Sequence, residues 1–240
     1  MEAWIPLGYL LSAALFIFGL KKLGHPRTAP RGNQYGAMGM LVAVLTTIVD
    51  MQLASGGMNW ELIIAGLVVG SVIGIIMAIK VEMTGMPELV ALFNGFGGAA
   101  SALVALSETW KYIENPDLPL PTGLELEVVV IAAGLSALVG WMTLTGSILA
   151  MFKLKGGIEV FGKWFSTPTW GPSWLNPVKV VLTVSVLALI VLSINDPRNT
   201  DYLWAIVGIS CLLGIVLVLP IGGADTVSYT HLTLPTKCSV

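Results

Sequence analysis

LIIAGLVVGSVIGIIMAI, residues 62–79, contains no charged side chain and is bracketed by Glu61 and Lys80. The hydrocarbon core of a bilayer is about 30 Å thick and needs roughly 20 apolar residues of helix to cross it, which this run nearly supplies. Six further runs of the same kind flank it, at 5–20, 36–54, 88–107, 128–152, 178–194 and 202–221. Strands of a membrane β-barrel would alternate in segments of about ten residues, whereas these runs are continuously apolar. The expected fold class is an all-α integral membrane protein, a polytopic bundle of about seven transmembrane helices.

Composition supports that reading. The chain has 240 residues, 55% hydrophobic and 11% charged, with a mean hydropathy of +0.86. A soluble domain carries about 25% charged residues, so a soluble enzyme is excluded, and disorder is excluded by the same numbers. A net charge of −2 leaves no basic field for nucleic acid. Cys211 and Cys238 are too few for a disulfide framework and too differently placed for a metal pair. Residues 1–23 carry their basic residues after the apolar stretch and show no small-residue cleavage site, so they read as a retained first span and not a signal peptide.

Assigning the connections alternately to two sides sorts the charges. One side receives Lys21, Lys22, Arg27, Arg31, Lys80, Lys153, Lys155, Lys163 and Lys179; the other receives only Lys111 and Arg198. The positive-inside rule then places the N-terminus outside and the end of the seventh span in the cytoplasm. Residues 108–127, with Pro116, Pro119 and Pro121, form an outer connection; residues 153–177, with Trp164, Trp170 and Trp174, form a cytoplasmic one without regular structure.

Ionisable residues inside a membrane are the default pointers to a transport path, and the middles of these seven runs contain none. Small and uncharged polar residues remain. Gly66, Gly70 and Gly74 make two overlapping small-xxx-small steps, whose expected use is close helix packing. Gly95-Phe96-Gly97-Gly98-Ala99-Ala100 matches the dinucleotide pattern G-x-G-x-x-A, but no strand precedes it and no exposed helix N-terminus follows, so the match is rejected. Asn94 has two readings: interhelical glue worth about 1 kcal/mol, or the polar lining of a water or proton path. Thr143 and Ser147 share a face of run five with four-residue spacing; hydroxyls there often bond back to the i−4 carbonyl. In Lys80-Val81-Glu82-Met83-Thr84-Gly85-Met86-Pro87-Glu88, Pro87 suits a helix start and Glu88 suits the positive end of the dipole.

KVEMTGMPELVALFNGFGGAAS, residues 80–101, resembles the membrane part of the beta subunit of proton-translocating NAD(P) transhydrogenases. TLTGSILAMFKLKG, residues 143–156, PIGGAD, residues 220–225, and NQYGAMGM, residues 33–40, resemble further segments of it in the same order. The resemblance implies an enzyme subunit that couples proton translocation to hydride transfer between NADH and NADP⁺. It implies NAD and NADP as cofactors of the complete complex, with none bound by this chain, and no catalytic nucleotide site here. It also implies an alpha-subunit partner, a dimer of the complete complex, surrounding membrane lipid and a place in the inner (plasma) membrane. By the same resemblance Asn94 and Ser147 line the proton path, and Asp225, Glu82 and Glu88 serve domain coupling. Many family members carry a histidine where this chain has Asn94, and some place one on a partner helix instead. The resemblance runs through residues 1–225; residues 226–240 do not continue the family pattern and look like translated read-through. A subunit of a secondary transporter or channel stands as the alternative, with neither a clear internal repeat nor a midplane charge to favour it.

Overall fold

The computed structural model describes residues 4–55, 59–82, 85–115, 125–156, 158–160, 163–165 and 171–221. Among them are seven helices long and apolar enough to cross a membrane: α1 Trp4–Leu23, α2 Ala29–Ser55, α3 Trp60–Lys80, α4 Met86–Glu114, α5 Leu126–Leu154, α6 Leu175–Asn195 and α7 Thr200–Val218. Six of the seven apolar runs lie wholly within one of these helices, and the seventh, 202–221, runs three residues past the end of α7. Asp225, the 226–240 tail, Pro116, Pro119 and Pro121 of the 108–127 connection, and Trp170 fall outside the described residues.

The chain divides into two compact units, residues 1–76 and 77–240. In the first, α1 and α2 form an antiparallel pair that meets through small residues. A Cβ added at Gly19 would lie 3.0 Å from the Gly32 carbonyl oxygen, and one at Gly39 would lie 3.2 Å from the Ser12 carbonyl oxygen. The buried Ser12 hydroxyl donates to the Gly39 carbonyl at 2.8 Å. Such stripes let backbones approach where lipid removes the hydrophobic drive for association. The Gly66, Gly70 and Gly74 stripe of α3 does not serve that purpose among the described residues: nothing lies within 4 Å of a Cβ at any of the three.

In the second unit α5 is the hub, packing on α4, α6 and α7. Its core is Ala137 of α5, Val186 and Ile190 of α6, and Ile206 of α7, all buried. Ile190 lies over Gly134. The buried hydroxyls of Thr109, Ser193 and Ser210 are satisfied inside their own helices, Ser210 donating to the Ile206 carbonyl at 2.6 Å. Membrane helices need this because no water reaches their polar groups.

Two differences from the sequence reading concern helix ends and loops. The α4 helix runs seven residues past the apolar run, to Glu114, with Thr109 and Tyr112 buried and Lys111 paired with Glu108 at 3.3 Å. It ends at Asn115 because the residue before a proline, here Pro116, is pushed out of helical conformation. The 153–177 connection contains a hairpin, β1 Ile158–Val160 with β2 Lys163–Phe165, antiparallel with Glu159 opposite Trp164. Ile158, Val160, Trp164 and Phe165 are of the β-branched and aromatic types that favour strands.

Candidate functional site

Pro87 stands in the first turn of α4 after Gly85, with Glu88 beside it. That start aims α4 so that Asn94, Gly95 and Gly98 face α5. A Cβ at Gly95 would meet the Ser147 Cβ at 2.9 Å; one at Gly98 would meet the Thr143 Cβ at 2.8 Å and the Gly140 carbonyl oxygen at 2.9 Å. The glycines of the rejected dinucleotide match thus lie inside a helix, where two of them bring α4 and α5 together. On the other side of α5, Gly146 faces Val218 and Gly214 of α7. A Cβ at Gly214 would overlap the Thr145 hydroxyl and the Met142 carbonyl oxygen.

These contacts leave a polar pair at the junction. Asn94 Nδ2 donates to Ser147 Oγ at 3.1 Å, joining the two residues singled out from sequence. Ser147 is buried, at 8% exposure, while Asn94 is exposed on the surface of this chain. A cavity of about 240 Å³ adjoins them, lined by Asn94, Thr143, Ser147, Gly214, Leu217 and Val218. It is open to the surface and mostly apolar, with Asn94, Thr143 and Ser147 as its polar side chains.

The neighbouring hydroxyls behave differently. Thr143 donates to the Val139 carbonyl at 2.6 Å, and Thr145 to the Trp141 carbonyl at 3.1 Å and the Cys211 carbonyl at 2.9 Å. Both make the i−4 bond expected of membrane-helix hydroxyls, so Ser147 is the hydroxyl of this trio that pairs with a side chain of another helix. Neither Asn94 nor Ser147 ionises near neutral pH. Both can exchange hydrogen bonds with a polar neighbour, but neither can store a proton.

Glu82 is exposed in the connection before α4, and Glu88 is half-buried in its first turn. Glu88 precedes Asn94 by six residues, about 9 Å along a helix, so neither carboxylate joins the polar pair. Asp225 lies outside the described residues. Among the described residues no group of three or more His, Cys, Asp or Glu is placed to hold a metal ion.

One residue escaped the sequence reading. Lys153, counted there as a loop charge, is buried at 6% exposure. Its ammonium donates to the carbonyls of Val218 (3.1 Å), Leu219 and Ile221 (2.7 Å) at the end of α7. Gly156, with φ of +80°, turns the chain out of α5 just beyond it. Glycine adopts this left-handed conformation without the Cβ clash other residues suffer.

A family model for the NAD(P) transhydrogenase beta subunit matches residues 5–229. The NAD(P) transhydrogenase subunit beta of Rhodospirillum rubrum is 32% identical over 224 residues, covering 90% of this chain and 44% of the relative. The subunit of the same name from R. rubrum strain ATCC 11170 matches to the same extent. The chain therefore spans less than half the length of these relatives.

Proposed function

This chain belongs to the NAD(P) transhydrogenase beta subunit family, and from that membership we propose that it couples proton passage across the membrane to hydride transfer between NADH and NADP⁺. The observation that carries the proposal is the Asn94–Ser147 hydrogen bond beside a cavity large enough for water. Ser147 accepts one hydrogen bond and can donate another, so it relays a proton along a water chain. Asn94 fixes its orientation.

Among the described residues no titratable side chain lines the cavity at this pair, which supports a proton-binding group supplied from elsewhere. The exposed amide of Asn94 supports a helix of the alpha subunit as its source, because an amide facing hydrocarbon is costly unless paired. We assign that role to a histidine on the partner helix. NAD and NADP act in the complete complex and not on this chain, which forms a dimer of the complete assembly within membrane lipid. Glu82, Glu88 and Asp225 serve coupling to the nucleotide domains. The excess of basic residues on one set of connections supports a cytoplasmic assignment for them, with the N-terminus outside the inner membrane.

The test is Asn94→Leu in a beta subunit of its relatives' length, assembled with the alpha subunit. Proton-coupled turnover should fall much more than nucleotide affinity. A well-assembled variant with normal proton pumping would reduce Asn94 to a packing contact.

A further inference from the structure

Lys153 is a buried cation that proton transfer at Asn94 and Ser147 does not use. Burying a charge is expensive unless it is fully paired, and this one is paired by an unusual set of acceptors. All three of its partners are main-chain carbonyls: those of Val218 and Leu219 at the end of α7, and that of Ile221 just beyond it. The last carbonyls of a helix have no partner within it and form the negative end of its dipole. The final turn of α7 contains no basic residue of its own, so the neutralising charge comes from the neighbouring α5.

Val218 connects this contact to the cavity. Its carbonyl accepts from Lys153, and with Leu217 it forms the α7 wall facing Asn94 and Ser147. Ser147 and Lys153 lie on the same helix, six residues and about 9 Å apart. One end of this α5 segment holds the polar pair and the other holds the opposing wall.

We propose that Lys153 is a positioning residue that latches the end of α7 to α5, setting the Leu217–Val218 wall of the Asn94–Ser147 cavity and the direction in which the chain leaves α7. The role of this latch in coupling rests on the proton-path reading above; the latch itself does not.

The experiment uses a beta subunit of its relatives' length, assembled with the alpha subunit in liposomes, with a nitroxide label at Ile221→Cys, an exposed position. Lys153→Met, Lys153→Gln and Lys153→Arg are compared with Lys155→Met, which removes an exposed lysine two residues on. In Lys153→Met the label should become mobile and protons moved per hydride should fall, because all three charge-assisted bonds that hold the end of α7 are lost. The nucleotide KM should stay within about twofold, since the latch does not touch a nucleotide. Lys153→Arg should restore both signals because it keeps the charge and several donors, and Lys155→Met should match the parent. Should the methionine variant not assemble, Lys153→Gln reads the same two signals, again with a mobile label and a lowered ratio. An immobile label with an unchanged ratio in the assembled methionine or glutamine variant overturns the proposal. If Asn94→Leu pumps normally while the Lys153→Met label is mobile, the proton-path reading fails and the latch stands.

Discussion

Replacing Gly140 by alanine should destabilise the α4–α5 pair by about 1–3 kcal/mol more than replacing Gly97 by alanine. A Cβ at Gly140 would overlap the Gly98 carbonyl oxygen and lie 2.6 Å from the Ala102 Cβ, whereas a Cβ at Gly97 meets nothing within 4 Å. Carbon atoms rest about 3.5–4.0 Å apart, so the Gly140 variant must move the helices apart by roughly 1 Å and loosen contacts along the seam. Both substitutions gain the same helix propensity, about 1 kcal/mol, and their difference isolates the steric effect. A difference of about 2 kcal/mol changes the ratio of folded to unfolded chain up to about thirtyfold. Reversible unfolding in mixed micelles, followed by circular dichroism, measures it. Equal stability of Gly140→Ala and Gly97→Ala would refute the close α4–α5 contact.

Gly156→Ala should cost about 1–2 kcal/mol, because φ of +80° forces the new Cβ into the left-handed region; the same unfolding assay reads it. Ser12→Ala should cost about 1 kcal/mol through loss of the buried bond to Gly39, and fluorescence transfer between labels on α1 and α2 would report the loosened pair. A cysteine at Lys111 should react with a membrane-impermeant reagent added from the outer side; reaction only from the cytoplasmic side would invert the proposed orientation.

The seven helices are legible because each apolar run approaches the length that spans a bilayer and charges such as Asp50, Glu88 and Lys179 fall only near the run ends. The end of α4 is not, since Glu108, Lys111 and Glu114 remove the apolar signal while the helix continues until Pro116 stops it. Asn94 and Ser147 stand out as polar groups in apolar runs, but spacing alone does not separate Ser147 from Thr143 and Thr145. What separates them is Asn94 on the neighbouring helix. Lys153 reads as a loop charge because a lysine in a last turn can snorkel to the headgroups equally well; only the end of α7 beside it decides otherwise. The glycine stripes show the same limit. Gly95, Gly98 and Gly140 are filled by facing helices, whereas a Cβ at Gly66, Gly70 or Gly74, of the same small-residue character, meets nothing within 4 Å among the described residues.

The central claim is that Asn94 and Ser147 act as one unit in proton passage. A double-mutant cycle on protons moved per hydride tests it most directly, with Asn94→Leu, Ser147→Ala and the pair reconstituted in the assembled complex. Residues of one hydrogen-bonded unit are strongly non-additive, so the double variant should be no worse than the poorer single variant. A double variant whose loss equals the product of the two single losses, or single variants that pump as the parent does, would contradict the account.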